Sequence, residues 1–196
     1  GCVYVVRALL AAGADPQSCD RQGLPVLLHA ARQGHALVAR SLLEAQASPS
    51  GPIDIYGNAP LHGAVGFGHA AVARVLLAAR GDPELRTADI RAPEDYGAQT
   101  CHETPLHIAC RAKPPHLEVM SRRLVLLLLQ HGASACVQDD NGNTPAHHLV
   151  RKGDAATLFT LLSRSPPQLA EYTAFEVRNL GGMSVADEAA GSQLAV

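Results

Sequence analysis

Apolar residues in this chain come in two alternating kinds of cluster. One kind is Leu-rich and closes on Gly-Ala-Asp or a variant: VVRALLAAGADP (5–16), VARSLLEAQASP (38–49), VARVLLAARGDP (72–83) and RLVLLLLQHGAS (123–134). The closing glycine position falls at Gly13, Gln46 and Arg80, 33 and then 34 residues apart. Between these ends lie polar turns, each leading into a shorter apolar cluster: DRQGLPVLLHAARQGH (20–35), DIYGNAPLHGAVGFGH (54–69), QTCHETPLHIACRA (99–112) and DDNGNTPAHHLVRKGD (139–154). The pattern predicts a turn, a short helix and a second Leu-rich helix, repeated along the chain.

The short clusters have a marked start. In HETPLHIAC (102–110), Thr104 suits an N-cap, its hydroxyl accepting from an otherwise orphaned backbone N–H. Pro105 then fits the first helical position, where its missing N–H costs nothing. Leu106, Ile108 and Ala109 begin a buried face. Thr144-Pro145 repeats the device, and NAPLHGA (58–64) does so with Ala59 in the cap position. Gly34, Gly68 and Gly153 fit the left-handed residue that closes the first helix, and Gly13 and Gly132 fit it after the second. Leu61 and Leu127 are expected in the core.

The period, the D-x-x-G-x-T-P-L-H start, the Gly-His between helices and the L-L-x-x-G-A-D end together resemble the ankyrin repeat, over nearly the whole chain. The resemblance implies an all-α ankyrin-repeat solenoid of stacked helix-turn-helix units with an enlarged third repeat. It implies a single domain, 1–196, with a half repeat at 1–19, repeats at about 20–53, 54–86, 87–138 and 139–167, and a shortened C-terminal cap at 168–196. In that cap, NLGGMSVADEAA (179–190) puts Ser184 in the Thr position and Asp187 in the His position. Repeat one departs from the pattern, with Pro25-Val26-Leu27-Leu28 where Thr-Pro-Leu-His is expected. Repeat three gains residues around RTADIRAPEDYGA (86–98) and again near AKPPHLEVMSRR (112–123). Pro114-Pro115 stops its first helix, and 116–120 either extend the second helix or form a turn of their own. Such insertions map to loops, and two readings stay open: functional loops or tolerated excursions.

Composition narrows the setting. Apolar residues make up 47% but aromatics only 4%, with no Trp, which suits thin, closely packed helices. The net charge of −2 gives no global field for nucleic acid or an anionic membrane. Five cysteines without close pairing fit reduced thiols, so an intracellular setting, cytoplasmic or nuclear, is expected. LVLLLL (124–129) is far too short to span a bilayer. The chain opens on Gly1 rather than Met, which suggests a piece of something longer.

Motif look-alikes fail on context. GFGHAA (66–71) fits G-x-G-x-x-A, but it follows a helix start rather than a strand. DDNGN (139–143) has its glycine fourth rather than sixth and no Glu at the twelfth place, so it reads as a turn tip rather than a calcium loop. Of ten histidines, His62, His107 and His147 occupy the T-P-L-H position, where the ring is expected to bond backbone in the turn layer. His35 and His69 belong to the Gly-His linkers. Cys101, His102 and His116 lack clean zinc spacing. No nucleophile elbow, P-loop or H-E-x-x-H is present, and the chain is expected to have no enzymatic activity, cofactor or metal.

Function is expected at the concave side, which turn tips and first helices line in the family. Candidate partner-binding residues there are Arg21, Arg32, Gln33, Tyr56, Phe67, Glu103, Arg111, Asp140, Arg151 and Lys152. Arg32, Arg111 and Arg151 share one position and, with Lys152 and Lys113, suggest a basic stripe. Tyr56 and Phe67 suggest an aromatic anchor. The expectation is a protein-interaction module, an adaptor, inhibitor or targeting domain, that is a monomer in isolation. Its partner would be another protein, offering an acidic or phosphorylated segment, and no nucleic acid or membrane. The alternative is a regulatory or substrate-recruiting domain of a larger enzyme, channel or effector.

Overall fold

Each Pro-led cluster becomes a helix because proline's fixed φ starts one without wasting a hydrogen bond. Pro60, Pro105 and Pro145 are the first residues of their helices, and Pro25 stands just before another. A computed structural model describes residues 3–51, 53–54, 57–87, 102–111, 118–164 and 176–191. Among these it contains ten helices and two isolated bridges, Cys19 with Pro25 and Arg178 with Ser184, so the fold is all-α. The chain divides into two compact units, Gly1–Thr100 and Cys101–Val196.

The first unit holds α1 (Val3–Ala11), α2 (Val26–Arg32), α3 (Ala36–Glu44), α4 (Pro60–Gly66) and α5 (Ala70–Ala78). The short helices α2 and α4 pack on each other, as do the longer α1, α3 and α5 in turn, so there are two layers. Leu28, Leu61, Val65, Val72, Ala73 and Leu76 fill the space between them and are almost fully buried. Each buried Leu is worth about 1.5–3 kcal/mol relative to exposure. Gly63 lets α2 and α4 approach closely: a Cβ would stand 2.7 Å from Leu28 Cδ1, which would have to shift.

The second unit holds α6 (Pro105–Arg111), α7 (Glu118–Gln130), α8 (Pro145–Lys152), α9 (Ala155–Arg164) and α10 (Val185–Gly191). Here α6, α8 and α10 stack as the short layer, and α7 packs on α9 as the long one. Leu106, Leu124, Val125, Leu128, Leu149 and Leu161 form the core. Leu127 corrects the sequence expectation, because it is only half-buried. The buried stripe of α7 runs through Ser121, Leu124, Val125 and Leu128, the i, i+3, i+4, i+7 spacing of one helix face, and Leu127 stands beside it.

At 13 residues, α7 is longer than the nine-residue α3 and α5, so Glu118 onward extends the second helix of its repeat. Of the segments expected from the sequence to enlarge the third repeat, residues 88–98 and 112–117 lie outside the described residues.

Candidate interaction surface

The turn tips are built alike. Asp20 N–H donates to the Leu24 carbonyl and Gly23 N–H to the Asp20 carbonyl, and the same pair of bonds recurs at Asp54, Asp139 and Asn179. The fourth residue of each turn is a glycine at φ 71–75°, a left-handed conformation that L side chains resist. The aspartate carboxylate completes the turn: Asp139 Oδ1 accepts from Asn141 N–H (2.9 Å) and Asn143 N–H (2.8 Å). DDNGN is thus a turn tip whose acid is spent on its own backbone. At Gly142 two turns of the backbone approach closely, a Cβ there falling 2.8 Å from Leu180 N.

The Thr-Pro-x-His histidines join turn to turn. Thr144 N–H donates to His147 Nδ1 at 3.1 Å, and the Thr144 hydroxyl lies 2.8 Å from the same nitrogen. The ring therefore takes part in the helix cap alongside the threonine. With Nδ1 accepting, the proton is on Nε2, which donates to the Met183 carbonyl of the next turn at 3.2 Å. His107 does the same, from Thr104 to the Asn143 carbonyl (3.1 Å). Burial, reinforced by His148, pulls the His107 pKa down to about 4. In the last unit Asp187 replaces the histidine: it accepts from Ser184 N–H (3.0 Å), while its own N–H donates to Ser184 Oγ (3.1 Å).

On these turns and short helices lie the candidate residues. In the first unit, Arg32 donates to Asp54 Oδ2 at 2.5 Å, the acid being almost buried. Gln33 and Arg21 are exposed. Phe67, at the end of α4, is 57% exposed and stacks on His69 with centroids 6.5 Å apart. His69 Nε2–H in turn donates to the Arg32 carbonyl at 3.0 Å, tying this aromatic pair to the end of α2. Tyr56 and Lys113 lie outside the described residues.

In the second unit, Arg111 donates to the buried Glu103 (2.7 Å) and Arg151 to Glu188 and Asn143. Lys152 lies 3.5 Å from Asp154, and Asp140 pairs with His102. Arg32, Arg111, Arg151 and Lys152 thus each meet a carboxylate of their own unit. Sequence reasoning left out those partners, Asp54, Asp154 and Glu188. A signal for the geometry exists in the spacing: Glu103 to Arg111 and Asn143 to Arg151 are both eight residues.

Glu103, Asp139 and His148 also offer ligand atoms within 4.8 Å of one another. Their charges are already answered by Arg111 on Glu103 and by the His148 and Asn143 bonds on Asp139. Burial raises the Glu103 pKa, with Asp139 adding to the rise and Arg111 opposing it. At Asp139 burial pushes upward too, but the hydrogen bonds from Asn143 and His148 outweigh it and hold the acid below its usual range.

A family model of three ankyrin repeats matches residues 1–89, and a model of many ankyrin repeats matches residues 112–162. The chain belongs to the ankyrin-repeat family. Ankyrin repeats are generally protein–protein interaction modules. No curated protein gives a significant match. No helix among the described residues is long and apolar enough to cross a membrane.

Proposed function

We propose that this ankyrin-repeat chain, read as one domain over 1–196, acts without chemistry of its own and binds a partner protein through its turn tips and short helices. The observation that carries this reading is Phe67: a ring 57% exposed yet held in place by stacking on His69, beside the Arg32 end of α2. A large side chain already ordered loses little entropy on binding, and aromatics with Arg are typical interface anchors. Arg21, Gln33 and Tyr56 would complete that patch. Glu103, Arg111, Asp140, Arg151 and Lys152 would form a second one. Arg111 and Arg151 keep about half of their side chains in solvent while their carboxylates fix them, a preorganised arrangement for an acidic or phosphorylated segment. Burial drives the Cys110 thiol far above its ordinary pKa, which argues against a nucleophilic role for it.

The test is capture of partners from a lysate with wild-type chain and with Phe67→Ala and Arg21→Glu variants, all matched by circular dichroism. The expected result is a partner held by the wild type and lost from both variants. Equal retention by all three would remove the aromatic patch as the binding surface.

A further inference from the structure

The long-helix face of the first unit carries a row of arginines that differ in pairing from the cations of the short helices. Arg7, Arg40 and Arg74 occupy the same position in α1, α3 and α5, 33 and then 34 residues apart. Successive helices of a layer pack about 8–10 Å apart, within about one Debye length, so Arg40 is weakly repelled by Arg7 and by Arg74 rather than helping the fold. All three are exposed, and among the described residues none forms an ion pair. Arg7 donates only to the Ser41 hydroxyl (3.0 Å). Arg32 in the first unit and Arg111, Arg151 and Lys152 in the second, by contrast, each have a carboxylate.

Between α3 and α5, flanked by Arg40 and Arg74, runs a groove of about 390 Å³. Leu43, Val75 and Ala79 line it, and each is half-buried, so apolar surface is left facing water. Glu44 is the acid in this groove, one turn beyond Arg40, and the equivalent place on α5 is Ala78. The face therefore combines an apolar floor, small residues that allow close approach, and two arginines against one acid, neither arginine in an ion pair among the described residues.

We propose that the groove between α3 and α5 docks an acidic amphipathic helix from a partner protein. Apolar side chains at i, i+3 or i+4 and i+7 would rest on Leu43, Val75 and Ala79, in the helix-in-groove manner. Glu or Asp on the flanks would meet Arg40 and Arg74, with Arg7 continuing the row. A basic residue near Glu44 would set the direction of the docked helix. Nine-residue α3 and α5 are each about 14 Å long, enough for two to three turns of ligand. This surface is separate from the one bearing Phe67.

The experiment uses the whole chain and a random phage library of peptides about 12 residues long, with counter-selection on an Arg40→Glu, Arg74→Glu double variant. The leading peptide is then synthesised with a fluorophore and titrated by polarisation. The expected result is enrichment of acidic sequences with helical apolar spacing. Their affinity should fall at least ~10-fold on the double variant, weaken with salt, and stay unchanged on Phe67→Ala. An Arg40→Ala, Arg74→Ala chain repeats the measurement should the Glu variant misfold. Three outcomes overturn the proposal: no enrichment, enriched peptides without net negative charge, or equal binding to the double variant. Loss of binding on Phe67→Ala instead would assign the peptides to the turn face.

Discussion

Acidification should weaken the second unit well before its aspartates protonate, because of His107. This ring is fully buried, and its neutral form is written into the structure: Nδ1 accepts from Thr104 while Nε2–H donates to the Asn143 carbonyl. Protonation would put a second N–H on Nδ1 facing the Thr104 N–H. Burial first, then the nearby His148, lower the pKa to about 4, against about 6.5 for an unfolded histidine. A depressed folded-state pKa means that the unfolded chain binds the proton more readily. The associated stability is fully present above about pH 6.5 and is lost as pH falls toward about 4. The gap corresponds to about 3 kcal/mol, a large share of a domain's ordinary stability. His147 and His148, lowered chiefly by burial, act in the same direction. Glu103, raised by burial, acts oppositely: its contribution is present at low pH and lost as pH rises through its folded value. The assay is urea unfolding followed by far-ultraviolet circular dichroism across this range, with NMR titration of the His107 ring. The midpoint should fall steadily below about pH 6.5, and His107→Gln should flatten the slope. A midpoint flat to about pH 4.5, or a His107 ring titrating near 6.5, would refute the reasoning.

Gln46 and Arg80 are held at φ 69° and 64°, where Gly13 and Gly132 stand at 90° in equivalent positions. Gln46→Gly and Arg80→Gly should each stabilise by about 0.5–1 kcal/mol in chemical denaturation, the relief of left-handed strain exceeding the glycine's added chain entropy. Leu128→Ala should cost about 2–5 kcal/mol and the half-buried Leu127→Ala clearly less; equal losses would contradict the register of α7. Gly142→Ala combines a positive φ with a 2.8 Å approach to Leu180 N and should cost about 2 kcal/mol or more in the same assay.

The helix starts and the closing glycines were legible in the sequence because each rests on residues a few places apart. Pro at the first helical position, Asp bonding its own turn and Gly at positive φ are all contacts within about five residues. Even the substitute cap, Ser184 with Asp187, was readable from its alignment with Thr and His. The register of α7 was not, since LVLLLL offers several equivalent apolar faces and only packing against α9 chooses among them. For the candidate residues, spacing along the chain left out the carboxylates that Arg32, Arg151 and Lys152 meet in the folded chain.

The sequence by itself determined which residues form turns, short helices and long helices, because those choices are local. Tertiary structure decided which charges are spent. Arg32 finds Asp54 22 residues away and Arg151 finds Glu188 37 residues away. Arg7, Arg40 and Arg74, no different as residues, line up on one face and form no ion pair among the described residues. Whether a cation is neutralised depends on separations of a few ångströms between neighbouring repeats. Stacking sets those separations, and spacing along the chain does not encode them.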